Sequence, residues 1–218
     1  MKTNLMRVVV AAVLLSGAAA RAQWGPSAGL RQGQTIWALN WEVAGPIGDF
    51  QNYIKNWSLL GFSLEARYLV KKNISVGGSF SFNRWEETYS QISIPVYLPN
   101  ANVNGVASGP VYRYNDMFGL RAIVHYYFGD GGTFQPYVGA GIGGVWSYSY
   151  QQIADLANTQ DSFNFIASPE VGVLYTLLSG TTSLAINLAF RYTFTTASPG
   201  RTSNAQTIGP IIGLAWYY

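Results

Sequence analysis

Ser183-Leu184-Ala185-Ile186-Asn187-Leu188-Ala189-Phe190-Arg191-Tyr192-Thr193-Phe194 decides the fold. Leu184, Ile186, Leu188, Phe190, Tyr192 and Phe194 alternate with Ser183, Ala185, Asn187, Ala189, Arg191 and Thr193. Successive side chains of a strand point to opposite faces, so one face here is greasy and the other small or polar. Working outward, seven more segments fit the same template, at about 35–43, 58–70, 74–85, 117–128, 136–150, 163–177 and 207–218. In the second, Leu60, Phe62, Leu64, Ala66, Tyr68 and Val70 oppose Gly61, Ser63, Glu65 and Arg67. In the fourth, Phe118, Leu120, Ala122, Val124, Tyr126 and Phe128 oppose Gly119, Arg121 and His125. Pro169 and Pro210 fall inside two of the runs and predict a bulge or a shifted boundary, because proline removes a ladder donor.

The connections carry independent information. Lys71 to Asn73, Gly129 to Gln135 and Leu178 to Thr182 are short, whereas Ala44 to Trp57, Glu86 to Asp116, Gln151 to Ser162 and Thr195 to Gln206 are long. Short and long alternate strictly, as tight periplasmic turns and long external loops do in an outer-membrane barrel. The expected fold is therefore all-β: an eight-stranded antiparallel transmembrane β-barrel in an up-and-down meander. The N-terminus, Lys72 and Tyr218 fall on the periplasmic side.

A lipocalin-like soluble barrel, with the greasy face inward, would turn Gly61, Ser63, Ser75, Gly77, Ser79, Ser81, Gly139, Gly141 and Gly143 to water. Water-facing surfaces carry Lys and Glu instead. Small residues fit the crowded interior of a narrow eight-stranded barrel. Aromatics near strand ends fit the interface girdles: Trp41, Trp57, Trp85, Trp146, Tyr148 and Tyr192, with Tyr126 and Trp216.

The N-terminus is excluded from the barrel. Lys2 and Arg7 precede an apolar run from Val8 to Ala19, and Ala20-Arg21-Ala22 follows, the pattern of a secretory signal peptide cleaved after Ala22. The run is too short for a membrane helix, which needs about 20 apolar residues. The expected organisation is a signal peptide at 1–22, a short lead-in at 23–34 and the barrel at 35–218. Lys2, Arg7 and Arg21 leave with the signal, so the remaining bases equal the 10 acids. Basic character thus belongs to the targeting segment and is no argument for nucleic-acid binding. Only 11% of the chain is charged, well under the ~25–35% of a soluble surface. No cysteine is present to staple a secreted domain. No stretch after residue 22 would make a membrane helix, which leaves a closed barrel as the way to meet lipid.

Gly213-Leu214-Ala215-Trp216-Tyr217-Tyr218 resembles the C-terminal assembly signal of outer-membrane barrels, with Gly213, Trp216 and Tyr218 at its matching positions. The terminal Tyr stands where Phe is usual, and Ile211 stands where a polar residue is usual. The chain as a whole resembles the small OmpA/OmpX-like family, known as the outer membrane protein beta-barrel domain. The resemblance implies insertion by the barrel-assembly machinery, contact with outer-membrane lipids and lipopolysaccharide, and a bacterial outer-membrane location. No peptidoglycan-binding domain is expected.

Gly139-Ala140-Gly141-Ile142-Gly143-Gly144 matches the spacing of a dinucleotide fingerprint, but that motif works between a strand and a helix; here it reads as a narrow lumen wall. His125 is the only histidine, with no serine at close spacing, and reads as an inert lumen residue. One histidine and no cysteine make no zinc ligand set, and no metal or other cofactor is expected. The inward registers collect Glu42, Glu65 and Glu170 with Arg67, Arg121 and Arg191, beside His125, Asn83 and Asn187. Charges inside a narrow barrel are costly unless paired, so a lumen network is expected, with Glu170 near Arg191. In the longest loop, Ile92 to Pro99 is apolar; the simplest reading extends segments 74–85 and 117–128 above the membrane as a hairpin, and the sharper one makes it a contact surface. Glu86, Glu87, Asp116, Asp155 and Asp161 read as solvated loop charges.

The functional expectation is a monomeric outer-membrane barrel with a filled lumen and a structural or surface-interaction role. The rivals are a narrow channel or carrier for small solutes and a lipid-modifying enzyme.

Overall fold

The computed structural model describes residues 29–98, 103–129, 132–153, 156–196 and 204–218; the signal peptide expected at 1–22 lies outside them. The strands are β1 (Thr35–Glu42), β2 (Gly45–Ile47), β3 (Leu60–Lys71), β4 (Ile74–Leu98), β5 (Val103–Tyr127), β6 (Phe134–Ile153), β7 (Leu156–Leu178), β8 (Ser183–Thr195) and β9 (Ala205–Tyr217), with one short helix, α1 (Asp49–Tyr53). Neighbours in sequence pair antiparallel, and β1 pairs with β9 to close the ring. β2 continues the line of β1 along β9, so the wall has eight staves.

Neither proline carries a bulge, which corrects the expectation. Pro169 pairs in register with Ala140, and the ladder to β8 skips only from Ala167 to Glu170. Pro210 accepts a bond from the Val43 amide at 3.0 Å but has no N–H to return. The interruption between β1 and β2 lies opposite it, where Ala44 turns aside to pair with Ser58. The register shifts that do occur lie between Leu69 and Lys71, Tyr89 and Ile92, and Thr176 and Leu178.

Alternation sorts the side chains as the sequence implies. Leu120, Ile142, Val171 and Leu188 face outward and are exposed, while Ser63, Ser79, Ser168 and Asn187 face inward and are buried. An apolar belt of this extent has no place in water and suits a hydrocarbon layer. Trp41, Phe62, Phe82, Phe118, Trp146 and Phe163 form one row of register partners across six staves. The row is not level. Followed the other way, from Trp41 through Ile212 and Leu188, it meets β7 at Val173 instead of Phe163. One circuit therefore climbs about ten residues, as strands tilted by ~35–45° require.

Spanning takes about 9–11 residues per strand. β8 and β9 have 13 each, but β4 and β5 have 25, β6 has 20 and β7 has 23. The two long hairpins thus rise as a four-stranded wall above one side of the mouth. The residues read as the two central loops are mostly strand.

Candidate functional site

The lumen is filled in three layers. At the periplasmic end Leu30, Ile36, Leu69, Tyr127, Tyr137, Leu174 and Tyr217 pack together. At the outer end the first external loop folds inward: Phe50, Tyr53 and Ile54 pack with Trp85, Met117, Val145 and Ile166. Trp85 is only 2% exposed, which corrects its placement in the girdle. It shares the inward parity of Ser79 and Ser81; its indole donates to the Ala44 carbonyl at 2.9 Å and meets Phe50 edge-on at 5.4 Å. The other expected girdle residues face outward: Trp41, Trp57 and Trp146 are exposed, and Tyr148 and Tyr192 half-buried. Sequence reasoning missed part of the lower girdle, where Tyr68, Phe128, Phe134 and Tyr175 join Tyr126.

Between the two plugs lies the charged layer. Arg191 reaches all three acids: its Nη1 bonds Glu42, its Nη2 lies 2.6 Å from both Glu65 and Glu170, and its Nε donates to Glu170 at 2.7 Å. Arg67 donates to Glu65 through Nε at 2.9 Å and also through Nη2, and its guanidinium lies over the Tyr137 ring at 5.1 Å. His125 Nε2 donates to Glu170 at 2.7 Å. Arg121 is held differently, by the hydroxyls of Ser168 and Ser79 at 3.1 Å each, with Glu42 at 4.0 Å. Asn83 donates to Glu42 at 3.2 Å, and Tyr137 to Asn187 at 2.8 Å. The expected lumen residues therefore lie together, and charges of opposite sign offset each other's desolvation.

Glycine makes room for this layer. A Cβ on Gly139 would fall 2.4 Å from the His125 ring, and one on Gly141 2.9 Å from the Ser168 hydroxyl. At the closing strand, Gly213 lies against Asn40, with Trp216 and Tyr218 on the outward face.

Chemically the layer is an ion-pair network. Glu65, His125 and Glu170 bring one potential metal-binding atom each within 4.8 Å of one another. Arg67 and Arg191 already hold those carboxylates, so a cation would have to displace a guanidinium. Among the described residues neither nitrogen of His125 bonds a hydroxyl, as a base-activated nucleophile would require. A cavity of about 30 Å³ lies above the layer, bounded by Glu42, Asn83, Trp85, Arg121 and Arg191. That is room for water.

Two of the loop acids read as solvated are engaged, a further correction. Glu87 is buried and accepts from the Lys55 amide at 3.2 Å; Asp116 is buried and accepts from Arg84 Nε at 2.6 Å. Glu86 and Asp161 are exposed, and Asp155 lies outside the described residues.

The family model for the outer membrane protein beta-barrel domain matches residues 8–209. The chain belongs to that family. A search of curated proteins finds no match to this barrel. Among solved structures it is similar to Ail, the attachment invasion locus protein of Yersinia pestis, at 11% identity and TM-score 0.50, covering 86% of this chain and 99% of that one. Ail in complex with the heparin analogue sucrose octasulfate gives 10% identity, the same coverage and TM-score 0.52. Neisserial surface protein A (11% identity, 85% and 96% covered, TM-score 0.48) and the Escherichia coli outer membrane protease OmpT (11%, 86% and 93%, TM-score 0.41) are also similar. The barrel is thus a bacterial outer-membrane protein.

Proposed function

We propose that this barrel is a non-conducting, non-enzymatic surface protein whose working part is the wall of β4 to β7 above the membrane. The observation that carries the reading is the closure of the lumen at three levels, beneath strands far longer than spanning needs. An eight-stranded cylinder has room for side chains and little else. The charged layer then serves as internal bracing, and lipid and lipopolysaccharide surround the barrel.

A polyanion such as the heparin analogue bound by Ail fits this outer surface poorly. Its described charges are Asp49, Glu86, Glu87, Asp116 and Asp161 against Lys55, Arg84 and Arg113. Arg84 is already paired with Asp116, and the Arg113 guanidinium lies over the rings of Tyr53 and Tyr89. Recognition through shape and main chain suits it better.

Recording from planar bilayers tests the reading. The unaltered protein should give no sustained channel; a stable open state of porin-like conductance would overturn it. Overproduction should likewise leave lipid A acylation unchanged, with or without His125→Ala.

A further inference from the structure

The first external loop rests on the wall as a bound peptide would. Its ends are pinned where Ala44 and Ser58 exchange main-chain bonds of 3.0 and 2.9 Å. Between them the chain leaves α1 in an extended conformation at Ile54 and lies against β4, β5 and β6. The Tyr53 hydroxyl is 2.7 Å from that of Ser149. The centre of its ring lies 5.4 Å from the Arg113 guanidinium, and its carbonyl accepts from Arg113 Nη1 at 3.3 Å. Two residues on, the Lys55 amide donates to the Glu87 carboxylate at 3.2 Å. The Asn56 side chain then donates to the Glu86 carbonyl at 3.0 Å. The wall thus reads a tyrosine side chain and two main-chain groups of an extended segment.

The fit is incomplete. Asn115 is fully buried and is the register partner of both Trp85 and Ser149. The loop touches those two neighbours, through Phe50 and Tyr53. Yet neither the oxygen nor the nitrogen of the Asn115 amide has a partner among the described residues. The Ser147 hydroxyl and Arg113 Nε are likewise buried without one. Buried polar groups are nearly always satisfied, and an unpaired one is costly. The face beneath the loop therefore offers more hydrogen bonds than the loop takes up.

Resting on the surface-interaction reading, we infer that the face built by Glu87, Arg113, Asn115, Ser147 and Ser149 is a peptide-binding site for a partner protein, which the first external loop occupies in cis. The ligand is an extended segment carrying a tyrosine, with an amide or hydroxyl side chain beside it that reaches Asn115 and Ser147. A tethered loop competes at high effective concentration, so an incoming segment must make bonds that the loop does not. The unpaired groups of Asn115, Ser147 and Arg113 supply them. The same loop from a second copy is the poorer occupant, because it carries the same residues and leaves the same groups unpaired.

The test uses the full barrel in lipid nanodiscs and a fluorescent peptide copying Phe50 to Trp57, read by anisotropy. Tyr53→Ala empties the tyrosine position without touching the wall, and should raise affinity for the copy about tenfold over the unaltered barrel. Cutting the unaltered barrel after Lys55 with trypsin frees the loop without a substitution and should do the same. Arg113→Gln in the Tyr53→Ala background should abolish binding, and so should alanine in place of the tyrosine of the peptide. Copies with glutamine or serine at each other position in turn should include one that binds the opened barrel more tightly still, and Asn115→Ala should cancel that gain alone. No binding to either opened barrel, indifference to Arg113→Gln or to the peptide tyrosine, or no gain that depends on Asn115 would each overturn the inference. So would intermolecular disulfides in a Tyr53→Cys/Ser149→Cys variant in membranes, which would make the occupant a second copy. A barrel that conducts yet binds the peptide in this way would overturn the non-conducting reading and leave the site standing.

Discussion

Glu170 on β7 and Arg191 on β8 are direct register partners, and the arginine Nε lies 2.7 Å from the carboxylate. Their contact is one arm of a larger arrangement, because the same guanidinium also holds Glu42 and Glu65. One cation thus ties three staves, β1, β3 and β7, to its own.

Arg191→Ala should therefore destabilise the folded barrel strongly. Breaking a buried pair from one side costs about 3–5 kcal/mol, since the remaining charge is left unpaired. Here three carboxylates lose a donor together. Arg191→Lys keeps the charge but cannot reach three acids with a planar fork, and should fall between. The measurement is the temperature at which the compact, fast-migrating form is lost on gels. A variant as heat-resistant as the unaltered protein would refute the bracing role.

The neighbouring glycine makes a separate prediction. Gly139→Ala places a methyl within 2.4 Å of the His125 ring, which must leave its bond to Glu170. Overpacking of this kind costs about 1–3 kcal/mol. The loss should shrink in a Gly139→Ala/His125→Ala double variant, where the ring is gone. Urea unfolding in lipid vesicles reads the coupling, and additive losses would show that the two residues do not compete for space.

The contrast between these two sites marks how far the sequence could be read. Strand parity assigned Glu65, Arg121, Glu170 and Arg191 to the lumen, because each sits among outward apolar neighbours. Glu170 and Arg191 were legible as a pair because consecutive strands set their relative height. The reach of Arg191 to Glu42 and Glu65 was not, since contacts across the lumen depend on the stagger accumulated round the ring. Trp85 shows two signals in conflict. An aromatic near a strand end suggests a girdle, but the parity of Ser79 and Ser81 puts it inside, and parity wins because a strand cannot turn one side chain through the wall. Phe50, Tyr53 and Ile54 gave no period to read; their inward fold depends on the apolar mouth they close.

Trp85→Ala tests that closure. The substitution removes the indole bond to the Ala44 carbonyl and the edge contact with Phe50, which together anchor the first external loop. Loss of a buried tryptophan costs about 3–5 kcal/mol, here concentrated at one end of the barrel. Lys55 lies in the same loop, with its amide held by Glu87. Trypsin added to intact cells should cut the variant after Lys55 much faster than the unaltered protein, while the membrane-embedded strands stay protected. Equal rates of cleavage would mean that the loop is not held by Trp85.

The orientation of the whole barrel can be checked without disturbing either plug. The β3–β4 turn at Lys72 is short, whereas Ser108 lies high on β5, where its hydroxyl is 2.8 Å from that of Ser93 on the facing strand. Both positions are exposed, so a cysteine at either is open to reagent once the reagent reaches that side. With the long hairpins outside, Ser108→Cys should react with a membrane-impermeant thiol probe in intact cells. Lys72→Cys should react only after the outer membrane is permeabilised. The chain has no native cysteine, so each variant carries a single reporter. Labelling of Lys72→Cys in intact cells, with Ser108→Cys protected, would invert the barrel and place the long hairpins of β4 to β7 in the periplasm.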